Sequence, residues 1–147
     1  MIFNLIDPEM TARLGAAVAA ILNPGEAVCL TGPLGAGKST LARALIRALT
    51  RPDEDVPSPT FTLVQFYDTP RFRLAHFDLY RLERAEEAFE IGLDEALEDG
   101  AAVIEWSDRL GGRLPPDRLD IELAIKGGGR LAYLEPRGAW KDRTIVF

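Results

Sequence analysis

The chain has 147 residues, a length that suits one domain with its own hydrophobic core and no need of disulfides. It has one cysteine, Cys29, which excludes an internal disulfide and a cysteine-built zinc cluster, and 47% hydrophobic residues, ordinary for a water-soluble chain. A net charge of −6 argues against autonomous nucleic-acid binding, which needs a basic surface.

The N-terminus, from Met1 to Pro8, lacks the basic start and the long apolar run of a signal peptide or membrane span, so a cytoplasmic protein is expected. Asp7 and Pro8 read as the cap and first residue of a helix running to about Leu22, with Met10, Leu14, Val18 and Ile21 on one stripe. Asn23-Pro24-Gly25 stops it before a short strand, Ala27 to Leu30. A second helix, from Lys38 to about Leu49, buries Leu41, Leu45 and Leu49, and Arg51-Pro52 ends it.

Leu63 to Tyr67 and Phe72 to Phe77 read as two strands of a hairpin turning at Asp68 to Arg71. Ala85 to Leu97 is helical, with a break at Gly92. Ala101 to Trp106 reads as a short buried strand, and Leu119 to Ile125 with Leu131 to Leu134 as a hairpin around Gly127-Gly128-Gly129. Strands alternating with helices and flanked by hairpins predict a three-layer α/β fold of the P-loop NTPase kind. Its central sheet should be mostly parallel, with antiparallel additions.

The segment between the first strand and second helix carries the chemistry. Residues 32 to 39, Gly-Pro-Leu-Gly-Ala-Gly-Lys-Ser, complete the pattern G-x-x-x-x-G-K-[ST]. Gly32, Gly35 and Gly37 let the chain turn tightly and aim successive N–H groups, Ala36's among them, at phosphate oxygens. Lys38 reaches the β- and γ-phosphates and the Ser39 hydroxyl is suited to Mg²⁺. A nucleoside triphosphate is the expected ligand.

Hydrolysis further needs an acid near the metal and a group that orients water. Asp78 and Glu105 each end an apolar strand, Leu74 to Asp78 and Ala101 to Glu105. In open α/β sheets the ligand sits beyond the carboxyl ends of the strands, so both acids are candidates to converge on the loop; ordinary solvent-facing charges are the alternative. His76, the single histidine, reads as a packing or hydrogen-bonding residue, and Ser58 to Thr62 as a turn or as a switch-like loop with a ligand-sensing hydroxyl. The densest basic stretch, Arg71, Arg73, Arg81 and Arg84, is diluted by neighbouring acids and reads as solvated surface.

Five segments appear in order: Gly32 to Thr40, Ser58 to Val64, His76 to Leu82, Ile91 to Glu95, and Val103 to Trp106. Together they resemble the bacterial TsaE (YjeE) ATPases, and the likeness runs from about Thr11 to Gly138. The resemblance implies a subunit that binds and hydrolyses ATP with Mg²⁺ and supports synthesis of threonylcarbamoyladenosine in tRNA. It would act through a TsaD–TsaB pair, touch tRNA only indirectly, and be monomeric when alone. It implies phosphate contacts from Lys38 and the loop, Mg²⁺ contact from Ser39, and an α-phosphate contact from Thr40. Asp78 and Glu105 match the acids near the metal, Thr60 the switch-like loop, Trp106 a residue beside the nucleotide, and Thr11 one near adenine. From the residues alone, Thr11 would be helix surface and Trp106 core.

Departures from the family pattern are few: Pro33 stands where an acid is common, Ser39 where threonine is, and Ser107-Asp108 follow the tryptophan. Rival readings are a non-hydrolytic assembly module using ATP and a small phosphotransferase. The latter lacks an evident Arg-bearing lid, and a GTPase is disfavoured because no [NT]-K-x-D run is present.

Overall fold

The computed structural model describes all 147 residues and gathers every strand into one seven-stranded sheet. In chain order the elements are β1 (Ile2–Leu5), α1 (Pro8–Ile21), β2 (Ala27–Thr31), α2 (Lys38–Leu49), β3 (Val64–Asp68) and β4 (Arg73–Asp78). They continue with α3 (Glu86–Glu90), α4 (Leu93–Asp99), β5 (Gly100–Glu105), β6 (Arg118–Lys126) and β7 (Gly129–Arg137). Short 3₁₀ turns occupy Ser107–Leu110 and Gly138–Trp140.

Strand order is β1-β7-β6-β2-β5-β4-β3. The four inner strands β6, β2, β5 and β4 run parallel, while the β6–β7 and β3–β4 hairpins and β1 add antiparallel pairs on both flanks. The expected α/β architecture, a parallel core with hairpin additions, is the one observed. Parallel strands buried on both faces need continuous apolar sequence, and β2 and β5 supply it as Ala27-Val28-Cys29-Leu30 and Ala101-Ala102-Val103-Ile104.

Alternate residues of these strands feed two cores. Val28, Leu30, Leu74, Ala101 and Val103 pack with α1 and α2 on one face; Ala27, Cys29, Ala75, Ala102 and Ile104 pack with α3 and α4 on the other. Cys29 is an interior residue, and burial pushes its thiol up to about 12, so it stays a neutral thiol.

Three sequence expectations are corrected. The inward stripe of α1 is Thr11, Leu14, Gly15, Val18 and Ala19, with Met10 and Ile21 only partly covered at its margins. The pattern of large apolar residues misplaced the stripe because small residues, Gly15 and Ala19, are buried within it, Gly15 against Leu41, Ala44 and Leu45 of α2. Thr11 is therefore buried, where the residues alone suggested surface. The third correction is β1, for which no strand was expected: its pairing with β7, Ile2 opposite Tyr133 through Leu5 opposite Arg130, is long-range and leaves no local signal. Helix α1 does start as expected, with the Asp7 carboxylate accepting from Met10 N–H (2.9 Å) and Pro8 in the first turn. The Gly92 break also holds, separating α3 from α4 with φ of 102°.

Candidate functional site

The register of the parallel strands places the candidate acids. Leu30 lies opposite Glu105 on β5, and Asp78 on β4 lies opposite Glu105 on its other side. The carboxyl ends of three adjacent strands thus meet beside residues 32–39, where the chain passes from β2 into α2. Leu74, His76 and Asp78 alternate along β4, so all three point to the α2 face; Ala101, Val103 and Glu105 do the same on β5.

The loop is shaped by backbone that other residues cannot copy. Gly32 has φ of 137°, and a Cβ there would stand 2.3 Å from the Leu123 carbonyl oxygen of β6. Gly37, at φ of 103°, ends the loop as the cap of α2, and no side chain occupies the helix N-terminus. The first N–H groups of α2 consequently remain open to an anion, reinforced by the helix dipole. We expect Gly32→Ala to lower stability by about 3 kcal/mol, through strained φ and overpacking together. Urea unfolding checks this; an unchanged midpoint would show that the strand–loop junction yields freely.

Lys38 arches back over the loop. Its ammonium donates to the Gly32 (2.6 Å) and Pro33 (2.9 Å) carbonyls and lies 4.0 Å from the centre of the Trp106 ring. Burial lowers the Lys38 pKa, while the charges of Glu105, Asp108 and Asp78 oppose that shift. A cation held this way gains from incoming negative charge.

Glu105, 1% exposed, has both oxygens engaged: Oε1 accepts from Ser39 Oγ (2.8 Å) and Oε2 is 2.6 Å from His76 Nε2. Asp78 Oδ2 accepts from Ser58 Oγ (3.0 Å) and Thr60 Oγ1 (3.1 Å), and its Oδ1 from Tyr80 N–H (3.0 Å). Segment 58–62 is therefore tied to an acid at the strand ends rather than being a free turn. Trp106, at φ of 58°, is half-buried, stacked edge-on against Tyr80, and borders the cleft instead of filling the core.

These groups line one cleft of about 420 Å³, which includes Gly35, Gly37, Lys38, Ser39, Thr40, Thr60, Asp78, Glu105 and Trp106. A second, smaller hollow of about 170 Å³ adjoins it across Gly35, Gly37 and Thr40 and is lined by Asp7, Thr11, Gly129 and Arg130. Arg130 donates to the Gly35 carbonyl (3.0 Å), tying the β6–β7 turn to the loop. Thr11 thus lines the smaller hollow and Trp106 the larger cleft, and the two hollows share Gly35, Gly37 and Thr40. Gly32 and Ala36 are loop framework: Gly32 packs on β6, and Ala36 is fully buried with its N–H bonded to the Pro33 carbonyl.

The donor set suits a small hard cation shared with phosphates: one hydroxyl, two carboxylates, and room for ligand oxygens. No group of three or more histidine, cysteine or acidic residues is arranged to enclose a metal by itself.

Tyr80, Ser58, His76 and Arg130 are among the lining or supporting residues that the sequence reading did not assign to the site. Tyr80 and Ser58 lie inside segments already singled out. His76 had a usable signal, since it sits two residues before Asp78 and so shares its strand face. Arg130 had none, because only the folded hairpin brings it to the loop.

The model of the family described as "Threonylcarbamoyl adenosine biosynthesis protein TsaE" matches residues 5–131. The chain belongs to the TsaE family. Among curated TsaE proteins of tRNA threonylcarbamoyladenosine biosynthesis, that of Rickettsia bellii is 40% identical over 117 residues, covering 80% of this chain and 81% of its own. That of Bacillus subtilis is 36% identical over 128 residues, 85% of this chain and 78% of its own. The crystal structure of Bacillus subtilis YdiB superposes with a TM-score of 0.77 at 27% identity, covering 94% of this chain and 86% of that one. The TsaE assignment takes this chain into tRNA threonylcarbamoyladenosine biosynthesis, and no helix in it is long and apolar enough to cross a membrane.

Proposed function

We propose that this TsaE-family chain is a Mg²⁺-dependent ATPase subunit, acting through a TsaD–TsaB complex in the cytoplasm to support threonylcarbamoylation of tRNA. The observation that carries the reading is the convergence of Lys38, Ser39, Asp78 and Glu105 on one cleft at the ends of β2, β4 and β5. Phosphate binding alone would need the loop and Lys38. Two carboxylates at the same strand ends are what a hydrolytic site adds.

In this reading the amides of the loop and of α2 cradle the phosphates, and Lys38 exchanges its two loop carbonyls for β- and γ-phosphate oxygens. Ser39 and Glu105 would hold the metal, with Asp78 beside them, and Mg²⁺ would supply neutralisation of charge on the phosphates. Thr40 faces the α-phosphate. Asp78 also holds Thr60 and Ser58, so segment 58–62 is fastened to the group nearest the reacting end. The nucleoside would occupy the hollow bordered by Thr11 and Arg130, and Trp106 lines the adjoining cleft. Catalysis is then positioning and charge stabilisation by preset dipoles. The net charge of −6 supports indirect rather than direct action on tRNA.

The test is ATP hydrolysis by the purified chain, alone and with a purified TsaD–TsaB pair. Slow turnover alone and a rise of at least about tenfold with the pair is the expected result, a gain of the size typical of allosteric coupling. Equal rates with and without the pair would remove TsaD–TsaB from the proposal. Binding without turnover in both conditions would make the chain an assembly module instead.

A further inference from the structure

His76 lies at the centre of β4 and is 2% exposed, beneath the cleft rather than in it. Its Nε2 is 2.6 Å from Glu105 Oε2, and the two side chains are 3% and 2% exposed. A carboxylate oxygen only accepts, so Nε2 carries the hydrogen and donates it. The other ring nitrogen, Nδ1, is buried with no partner. Buried polar atoms are rarely left so, because the lost hydration is not returned. An aliphatic side chain would fill the same space without that cost. The ring's one polar contact is therefore the one with Glu105.

That contact bears on Ser39. The Glu105 carboxylate is planar and has two occupied oxygens: Oε2 toward His76, Oε1 accepting the Ser39 hydroxyl hydrogen at 2.8 Å. With Oε2 anchored, the carboxylate cannot turn about its last torsion, and Oε1 stays aimed at Ser39. The Ser39 hydrogen then points at Glu105, which leaves the hydroxyl lone pairs free for a cation. Histidine–carboxylate contacts of this kind, one step removed from a metal, set ligand orientation and affinity.

The geometry points to His76 as the positioning residue of the cation site, acting through Glu105 on Ser39 without touching nucleotide or metal. This rests on the proposed reading of Glu105 and Ser39 as the Mg²⁺-binding pair. It predicts a division of effects: His76 governs how much Mg²⁺ the site needs, and leaves the phosphate grip of Lys38 and the loop intact.

The experiment measures ATP affinity by calorimetry, first with EDTA and then across a Mg²⁺ titration, for wild type, His76→Leu and His76→Gln. The glutamine amide lies about as far from Cβ as the imidazole Nε2 and can donate to the same oxygen. His76→Leu is expected to raise the Mg²⁺ concentration for half-maximal enhancement about 10- to 100-fold, with metal-free affinity within about threefold of wild type. His76→Gln is expected to recover most of that loss. In a Glu105→Gln background, His76→Leu is expected to add nothing, since the path through Glu105 is already cut. Unchanged Mg²⁺ dependence in His76→Leu overturns the inference, as does equal loss of metal-free and Mg²⁺-supported binding. Should His76→Leu not fold, His76→Gln against His76→Asn, whose shorter amide misses Oε2, decides by the same readout. Absence of Mg²⁺-dependent ATP binding in the wild type overturns the functional reading itself, and is distinguished by appearing before any His76 substitution is made.

Discussion

Lys38→Ala is expected to weaken ATP binding at least about a hundredfold while leaving the fold in place. The ammonium is the one side-chain cation inside the loop, where it donates to the Gly32 and Pro33 carbonyls and sits over Trp106. Replacing those carbonyls by phosphate oxygens would turn two neutral-acceptor bonds into charge-assisted ones, each worth about 1.5–3 kcal/mol. Losing both corresponds to at least about a hundredfold in affinity, since every 1.4 kcal/mol is tenfold. Alanine removes both of those hydrogen bonds and also the burial of the ammonium charge, and the two effects on stability oppose each other. Stability should therefore change by no more than about 1 kcal/mol. Calorimetric titration with Mg²⁺–ATP, paired with urea unfolding, checks both halves. Retained affinity in a folded Lys38→Ala chain would mean that residues 32–39 are not the phosphate site.

Glu105→Gln should have the opposite profile: nucleotide still bound, turnover lost. Glutamine keeps the size of the side chain and offers an acceptor to His76 and an amide toward Ser39, so packing survives while the negative charge does not. With the charge proposed to face Mg²⁺ removed, single-turnover hydrolysis should fall at least about a hundredfold, and metal-free ATP affinity should stay within about threefold. Asp78→Asn should fall in the same direction, with a further consequence. Its Oδ2 holds both Ser58 and Thr60, so the substitution loosens segment 58–62, and protease sensitivity there should rise in step. Unchanged hydrolysis in either variant would remove that acid from the mechanism.

The two acids illustrate how far residue order alone reaches. Each was legible as a charge at the end of an apolar run, but solvent-facing acids look identical in sequence. Their convergence depends on β5 inserting between β2 and β4, a pairing between strands dozens of residues apart. Trp106 and Thr11 were misjudged by local pattern for the same reason. A tryptophan after a buried strand reads as core, yet here the backbone turns at φ of 58° and brings the ring out over Lys38. A threonine in an amphipathic helix reads as surface, yet α1 is inward on its small-residue side.

What the sequence determined by itself was local: the glycine-rich loop between strand and helix, the α1 cap at Asp7, the Gly92 break and the inner strands. Glycine conformations, helix caps and apolar runs act over a few residues, so a short window contains their cause. The ordered motif set also carried the TsaE likeness. Only the tertiary structure decided which side chains share a cleft: His76 under Glu105, Ser58 and Thr60 on Asp78, Arg130 on the loop, β1 on β7. Those contacts follow from strand order and register, which arise when distant apolar faces are buried together, and no window of neighbouring residues holds that information.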